Sequence, residues 1–245
     1  MTLTAGTTTT TGASGGYSFA DVPYGSYTVS ATANGQSTSS ALTVDAATKT
    51  LNLTLPAPPP PTGNYAVTTV ATPFVPADDT VLTLTGDDNI QQVTLPAPVT
   101  LYGQTYTTAW INTNGKVSFV NPGGAYVEHS ALPSAAAPNA TVYVFWDDLV
   151  VDGSASVRTA LVNGSVVIEW RNPYIYGNGV HNRISVSAVF APNGTITLHY
   201  SSVDNDVEKG SGATVGVENA AGTTAAQYLY NQPLLVSGTA VRFTP

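Results

Sequence analysis

Two glutamates in strand-like segments, Glu169 and Glu218, are the first candidates for catalysis. A glycoside hydrolase places two carboxylates about 5–9 Å apart on either side of the bond that it cleaves. The Glu-x-Asp-x-Glu strand of one jelly-roll glycosidase class is absent, and Arg171 follows Glu169 closely enough to favour a structural ion pair. We expect His181 and His199 to be ordinary surface or half-buried side chains. The sequence therefore predicts that the chain is not an enzyme.

Clusters of oxygen-bearing side chains suggest a different chemistry, the binding of a hard cation. Calcium prefers several carboxylate, amide and carbonyl oxygens. Asp147, Asp148 and Asp152 surround the end of an apolar segment, and we predict a structural Ca²⁺ there, with no other cofactor required. Adjacent aspartates on a strand point to opposite faces, so Asp147 and Asp148 can share an ion only if the strand has ended. The alternative is a solvated acidic turn. Two further oxygen-rich groups are Asp87-Asp88-Asn89 and Asp204-Asn205-Asp206 with Glu208.

Three tyrosines in segments rich in Gly and Asn, namely Tyr126, Tyr174 and Tyr176, are the candidates for ligand binding. An exposed ring can stack on a sugar face or a peptide while its hydroxyl forms hydrogen bonds. Tyr174 and Tyr176 are predicted to lie on the same side of a loop. The alternative is that they cover one end of a β-sandwich as structural side chains.

The composition excludes several classes of partner. Charged residues make up 9% of the 245 residues, against roughly 25% in ordinary soluble proteins. The net charge of -8 leaves no basic surface for nucleic acid or for anionic lipid. There is no cysteine, no apolar run long enough to cross a bilayer, and no signal peptide visible after Met1. The chain is therefore either cytosolic or a piece of a longer protein, and its composition is typical of secreted β-proteins.

Alternation of apolar and polar residues predicts an all-β fold throughout. In the second part of the chain, twelve such runs and three Asn-Gly turns predict a two-sheet sandwich or jelly roll. Residues 141–146 are apolar on both faces, which predicts a central strand that ends at Asp147-Asp148. The predicted strands are residues 81–85, 91–95, 106–112, 116–120, 141–146, 156–162, 165–170, 183–190, 195–200, 213–218, 227–230 and 239–244.

A proline-rich segment, residues 56–63, predicts the boundary between two domains. Consecutive prolines favour an extended polyproline II rod and cannot join a sheet. We interpret the segment as a semi-rigid linker, the alternative being a proline-rich ligand for another protein. The predicted domains are a small sandwich over residues 1–55 and a larger one over residues 64–245.

Residues 10–19 (TTGASGGYSF) and 22–29 (VPYGSYTV) resemble the carboxypeptidase-regulatory-like (prealbumin-like) repeat. The resemblance covers residues 1–55 and implies a small seven-stranded sandwich of the carbohydrate-binding-like kind. The family's opening strand is missing here, which implies that the repeat is truncated at its N-terminus. An unfilled strand position would leave a sheet edge exposed.

Residues 90–244 resemble a non-catalytic β-domain that accompanies bacterial secreted peptidases and cell-surface proteins, and more weakly the nidogen-type domain. The segments that carry this resemblance are VTLP (93–96), NGKVSF (114–119), FWDDL (145–149), VIEW (167–170), NGTI (193–196) and VGVEN (215–219).

Together these features predict a non-catalytic accessory module of a larger secreted or cell-surface bacterial protein. We expect a monomer within that larger chain, which binds an extracellular polymer, with polysaccharide as the first candidate and protein as the second. The alternative is a structural stalk or adhesion segment without a small-molecule ligand, and a glycoside hydrolase or peptidase is a distant third.

Overall fold

The computed structural model describes residues 2–4, 6–12, 15–33, 36–55, 64–124, 128–177 and 181–245. These residues form antiparallel sheets and a single π-helical turn, Val207–Ser211, which confirms the all-β prediction. The chain divides into two compact units, Met1–Pro59 and Pro60–Pro245. The predicted linker, residues 56–63, lies outside the described residues.

The described residues of the first unit form one three-stranded sheet with the order β1-β2-β3. The strands are β1 (Thr2–Leu3), β2 (Gly25–Ala33) and β3 (Gln36–Val44). β2 and β3 pair over their full length, from Gly25 opposite Val44 to Ala33 opposite Gln36. The seven-stranded sandwich implied by the carboxypeptidase-regulatory resemblance is not confirmed.

Two segments of the first unit that alternate like strands are not paired in a sheet. Residues 17–19 and 51–55 have no strand assignment. The Tyr17 hydroxyl donates to the Leu51 carbonyl at 2.8 Å, and the Tyr17 and Phe19 rings meet edge to face at 6.0 Å. Period-two alternation at these positions would predict strands, but the structure shows packed side chains there without sheet pairing.

In the part of the second unit that the structure describes, two antiparallel sheets form a sandwich. The larger sheet has the order β4-β17-β14-β13-β12-β11-β5, with β10 also paired to β12, and the smaller has the order β16-β15-β9-β8-β7-β6. Their strands are β4 (Ala66–Ala71), β5 (Thr80–Val81), β6 (Ile90–Leu101), β7 (Gln104–Asn112), β8 (Lys116–Ser118), β9 (Thr141–Trp146), β10 (Leu149–Val150), β11 (Ser156–Val162), β12 (Ser165–Ile175), β13 (Arg183–Phe190), β14 (Ile196–Ser202), β15 (Thr214–Glu218), β16 (Ala225–Tyr230) and β17 (Thr239–Thr244).

Each of the twelve predicted runs contains or overlaps a strand, while β4 and β10 were not predicted. Of the three Asn-Gly turns, only Asn163-Gly164 has positive φ at both residues, as a type I′ hairpin requires. Tyr102-Gly103, which joins β6 to β7, also has two positive φ values. The tight turn there was missed because tyrosine carries no turn signal.

β9 is the central buried strand that the sequence predicts, and it contains a β-bulge. Its six residues are all buried. Two residues lie between Tyr143 and Trp146 on β9. Only one residue lies between their two partners on β15, so β9 has one extra residue here. The amides of Val144 and Phe145 both donate to the Gly115 carbonyl, at 2.9 and 3.3 Å. Strict alternation along β9 would group Trp146 with Val142 and Val144, but the bulge places Trp146 on the same face as Tyr143.

Glycine is required at position 115, in the turn beside this bulge. Its φ is +69°, and a Cβ at that position would lie 2.0 Å from the Phe145 carbonyl oxygen. No side chain could fit there without displacing the β9 backbone.

Two hydrogen bonds link the sheets across the core. The Tyr200 hydroxyl on β14 donates to the Val144 carbonyl at 2.8 Å, and the Trp170 indole on β12 donates to the Asn112 carbonyl at 2.8 Å. Both rings are fully buried. Each bond satisfies a buried polar group whose desolvation would otherwise cost free energy.

The other face of β9 carries a buried cation. Tyr143 stacks on Trp146 with ring centroids 4.8 Å apart, and the Lys116 Nζ lies 4.6 Å from the centre of the Trp146 ring. Lys116 is 2% exposed, and its Nζ has no hydrogen-bond partner among the described residues. Desolvation lowers the pKa of Lys116 to about 8, although the negative charge of Asp88 opposes this shift.

Replacing Lys116 with Met should stabilise the fold at pH 7 by about 1–2 kcal/mol, because it removes a desolvated charge whose attraction to the Trp146 ring offsets only part of the cost. An unfolded lysine keeps its proton up to about pH 10.4, whereas the folded one loses it near pH 8. Wild-type stability should therefore rise between pH 8 and 9.5, and K116M should lack that rise. Urea unfolding over this range is the measurement, with Lys209→Met as the control. Equal pH dependence in wild type and K116M would contradict the prediction.

Candidate functional site

The most promising site lies where the chain passes from the smaller sheet to the larger one. β9 ends at Trp146, and β10 begins after two intervening residues, at Leu149, and pairs with β12. The crossing residues are Asp147 and Asp148. The strand has therefore ended at this pair, which is the condition that the sequence set for a cation site.

Asp148 meets the Asp87-Asp88 turn. Gly86 and Val151 exchange backbone hydrogen bonds of 2.7 and 2.9 Å, which hold this turn against the crossing point. One carboxylate oxygen from each of Asp87, Asp88 and Asp148 lies within 4.8 Å of the others. We call these three residues the acidic cluster.

Asn114 fixes the acidic cluster to the β7–β8 turn. Its Nδ2 donates to Asp88 Oδ1 at 2.9 Å, and its Oδ1 accepts from the Leu149 amide at 3.1 Å. Asn114 is 2% exposed, so its bond to the Leu149 amide is shielded from water, while its bond to the exposed Asp88 is only partly shielded. The same turn contains Gly115, whose carbonyl accepts hydrogen bonds from the β9 bulge, so one turn contacts both the acidic cluster and the bulge.

Electrostatics makes the acidic cluster costly without a counter-charge. Desolvation, followed by the negative charges of Asp87 and Asp88, raises the pKa of Asp148 to about 6. The Asp148 Oδ1 is buried and has no hydrogen-bond donor among the described residues. Three carboxylates at this spacing supply the oxygens that a hard divalent cation prefers.

The structure does not bring the predicted calcium ligands together. Asp152 forms an ion pair with Arg183 at 2.5 Å, which holds the pKa of Asp152 well below its usual range. Asp147 accepts a hydrogen bond from the Asp148 amide at 2.8 Å, and burial raises its pKa to about 6. Of the three residues, only Asp148 belongs to the acidic cluster. Asp87 and Asp88 were identified only as a separate oxygen-rich group, because sequence spacing cannot show that two distant turns meet.

The tyrosine candidates have different environments. Tyr176 is 57% exposed, and its amide donates to the Asp148 carbonyl at 2.8 Å, so it lies beside the acidic cluster. Tyr174 is half-buried in β12, with the Arg183 guanidinium 5.3 Å from its ring centre. The loop predicted for Tyr174 was wrong, because β12 continues to Ile175. Tyr126 lies outside the described residues.

The two glutamates belong to separate sheets and to separate networks. Glu169, on β12, accepts from the Ala77 amide at 2.7 Å and from Arg171 at 2.8 Å, which confirms the expected ion pair. Glu218, on β15, accepts from the Ser134 amide at 2.6 Å and from the Tyr143 hydroxyl at 3.0 Å. Each carboxylate stabilises a buried contact, and the two do not face each other across a cleft.

His199 also packs among structural side chains. His199 is 3% exposed on β14, and its ring meets Phe74 edge to face at 6.3 Å. Burial, followed by the charge of Arg242, lowers its pKa. His199 is therefore a buried core side chain, whereas the sequence predicted a surface or half-buried position.

Millimolar Ca²⁺ should raise the midpoint of thermal unfolding by several degrees relative to EDTA, because a ligand that binds the native state stabilises it by mass action. Without Ca²⁺, stability should fall as the pH rises from about 4 to 6, since folded Asp148 holds its proton up to about pH 6 and the unfolded side chain does not. Ca²⁺ should reduce this fall.

Asp148→Asn should abolish the Ca²⁺ response, whereas the matched neighbour variant Asp147→Asn should keep it. A response that is absent in wild type, or that is lost in D147N and kept in D148N, would rule out the acidic cluster as a calcium site.

Comparison of the sequence with known protein families identifies one matching family. The model of the NIDO-related family matches residues 64–245, which are 182 of the 245 residues. No curated protein and no solved structure matches the chain. Domains of this family are usually extracellular, and no helix of the described residues is long and apolar enough to cross a membrane. The match covers all but the first four residues of the second unit and agrees with the nidogen-type resemblance, so the chain belongs to the NIDO-related family.

Proposed function

We propose that the chain is a non-catalytic binding module of an extracellular protein, and that its ligand is a neutral polysaccharide bound beside the acidic cluster. A NIDO-related domain suggests an extracellular accessory module. The observation that carries the binding proposal is Tyr176, an exposed ring next to buried and well-anchored backbone.

Tyr176 has the properties of a binding anchor. Its side chain is 57% exposed, while the preceding residue, Ile175, is 1% exposed and pairs with Leu149 of β10. The ring therefore projects from rigid backbone, which reduces the entropy lost when it stacks on a ligand. An aromatic ring offers an apolar face to a sugar, and its hydroxyl offers a hydrogen bond.

Charge also favours a neutral partner. Asp148 of the acidic cluster accepts a hydrogen bond from the Tyr176 amide, and the Arg183 guanidinium that lies over the Tyr174 ring is neutralised by Asp152. A polyanion would be repelled by the acidic cluster unless a cation occupied it. A sugar hydroxyl group can coordinate a calcium ion held by the acidic cluster, and it can donate a hydrogen bond to the same carboxylates when no calcium is bound.

The absence of catalysis is part of the proposal. It is supported by the separation of Glu169 and Glu218 into different sheets, each with its own donors. A glycosidase needs two carboxylates on opposite sides of one substrate bond.

Pull-down with two insoluble neutral polysaccharides, cellulose and chitin, tests the proposal. We expect wild-type chain to be retained on at least one of them, and Tyr176→Ala to bind at least tenfold more weakly, since a central aromatic anchor contributes about 2 kcal/mol or more and about 1.4 kcal/mol corresponds to a tenfold change. Tyr230→Ala removes another partly exposed tyrosine and serves as the matched control. Equal retention of Y176A and wild type would refute the site. No retention on any polymer would favour the structural stalk.

A further inference from the structure

The outer edge of β3 in the first unit is long, regular and unprotected. All nine residues of β3 pair with β2 on one side. On the other side, no strand of the described residues pairs with it. Alternate residues of β3 therefore direct their backbone N–H and C=O groups away from the sheet, where they are available to another strand.

The edges of the second unit are protected by devices that β3 lacks. β6 contains Pro96 and Pro98, and its register with β7 shifts between Thr94 and Val99. β5 has only two residues, and the Asp79 carboxylate next to it accepts a hydrogen bond from the Leu161 amide at 2.9 Å. Prolines, bulges, short strands and charges are the usual means of preventing edge-to-edge association.

The remaining two edges of the second unit lie against each other. Near the start of β4, Asn64 donates to the Ala225 carbonyl of β16 at 2.7 Å, and Thr69 contacts the Tyr228 hydroxyl at 3.4 Å. Each of these edge strands is therefore covered in part by the other.

β3 has none of this protection. The sequence from Val22 to Val44, which contains both β2 and β3, has no Asp, Glu, Lys or Arg, and β3 contains no proline. Its nine residues pair with β2 in continuous register, without a bulge. A strand with this composition is a template for strand addition.

We propose that β3 pairs antiparallel with β3 of a second copy of the chain, so that the two three-stranded sheets form one continuous sheet of six strands. A two-fold axis perpendicular to the sheet, near Ser39 and Ser40, relates the copies. The sequence predicts a monomer, whereas the exposed edge of β3 favours a dimer.

The two faces of β3 suit a second copy in particular. Thr38, Ser40, Leu42 and Val44 are half-buried, and Leu42 and Val44 line a cavity of about 640 Å³ in the first unit. Ser37, Ser39, Ala41 and Thr43 are exposed. Under the two-fold axis, each face continues into the same kind of face, small side chains lie opposite small ones, and no charges meet.

Association of the full chain is measured by sedimentation velocity over a range of concentrations. Wild type should pass from the mass of one chain, 25.2 kDa, to twice that mass as the concentration rises. Ser39→Lys and Ser39→Glu should each weaken this association by up to about fivefold, because two like charges would lie close to the axis. An equimolar mixture of S39K and S39E should recover the dimer.

Ser26→Lys is the matched control, since Ser26 is exposed on β2, one strand away from the edge, and this variant should dimerise like wild type. A wild-type chain that stays at 25.2 kDa at millimolar concentration would overturn the proposal. So would dimers that S39K and S39E leave unchanged, because another surface would then hold the copies together.

Discussion

The hydrogen bond between the Tyr200 hydroxyl and the Val144 carbonyl is the interaction on which the second unit depends most. It spans the core from the larger sheet to the bulge of β9, and both partners are fully buried. A buried carbonyl without a donor costs roughly 1–3 kcal/mol, so the bulge is tolerated where a donor from the opposite sheet reaches it. The extra residue in β9 is therefore stabilised by the hydroxyl of Tyr200 on β14.

The bulge determines what lies on either side of β9. On the outer face, it brings Trp146 next to Tyr143, and the two rings cover Lys116. At the strand end, it sets the orientation with which Asp147 and Asp148 leave the smaller sheet. Gly115 contacts the bulge from the β7–β8 turn, while its neighbour Asn114 holds Asp88 in the acidic cluster. The candidate site is therefore coupled to the core through a turn of five residues, Asn112 to Lys116.

Much of this fold could be predicted from the sequence, because period-two alternation and Asn-Gly turns are local signals. The ends of β11, β13 and β17 were predicted correctly, and so was the double burial of β9. The bulge could not be predicted, since it depends on which strand lies beside β9. The acidic cluster was also missed, because Asp87 and Asp148 are brought together by sheet order and not by spacing. Lys116 gave no signal, since a lysine on a short strand is normally exposed.

The central claim, that one tyrosine hydroxyl supports the β9 bulge, is tested most directly by the stability of Tyr200→Phe. This variant keeps the ring and removes only the donor to Val144. Urea unfolding should show a loss of about 1–3 kcal/mol, because the bulge carbonyl would lose its buried donor. Tyr230→Phe, at a partly exposed position, should be neutral. A stability of Y200F within about 0.5 kcal/mol of wild type, the size of an ordinary surface substitution, would contradict the account.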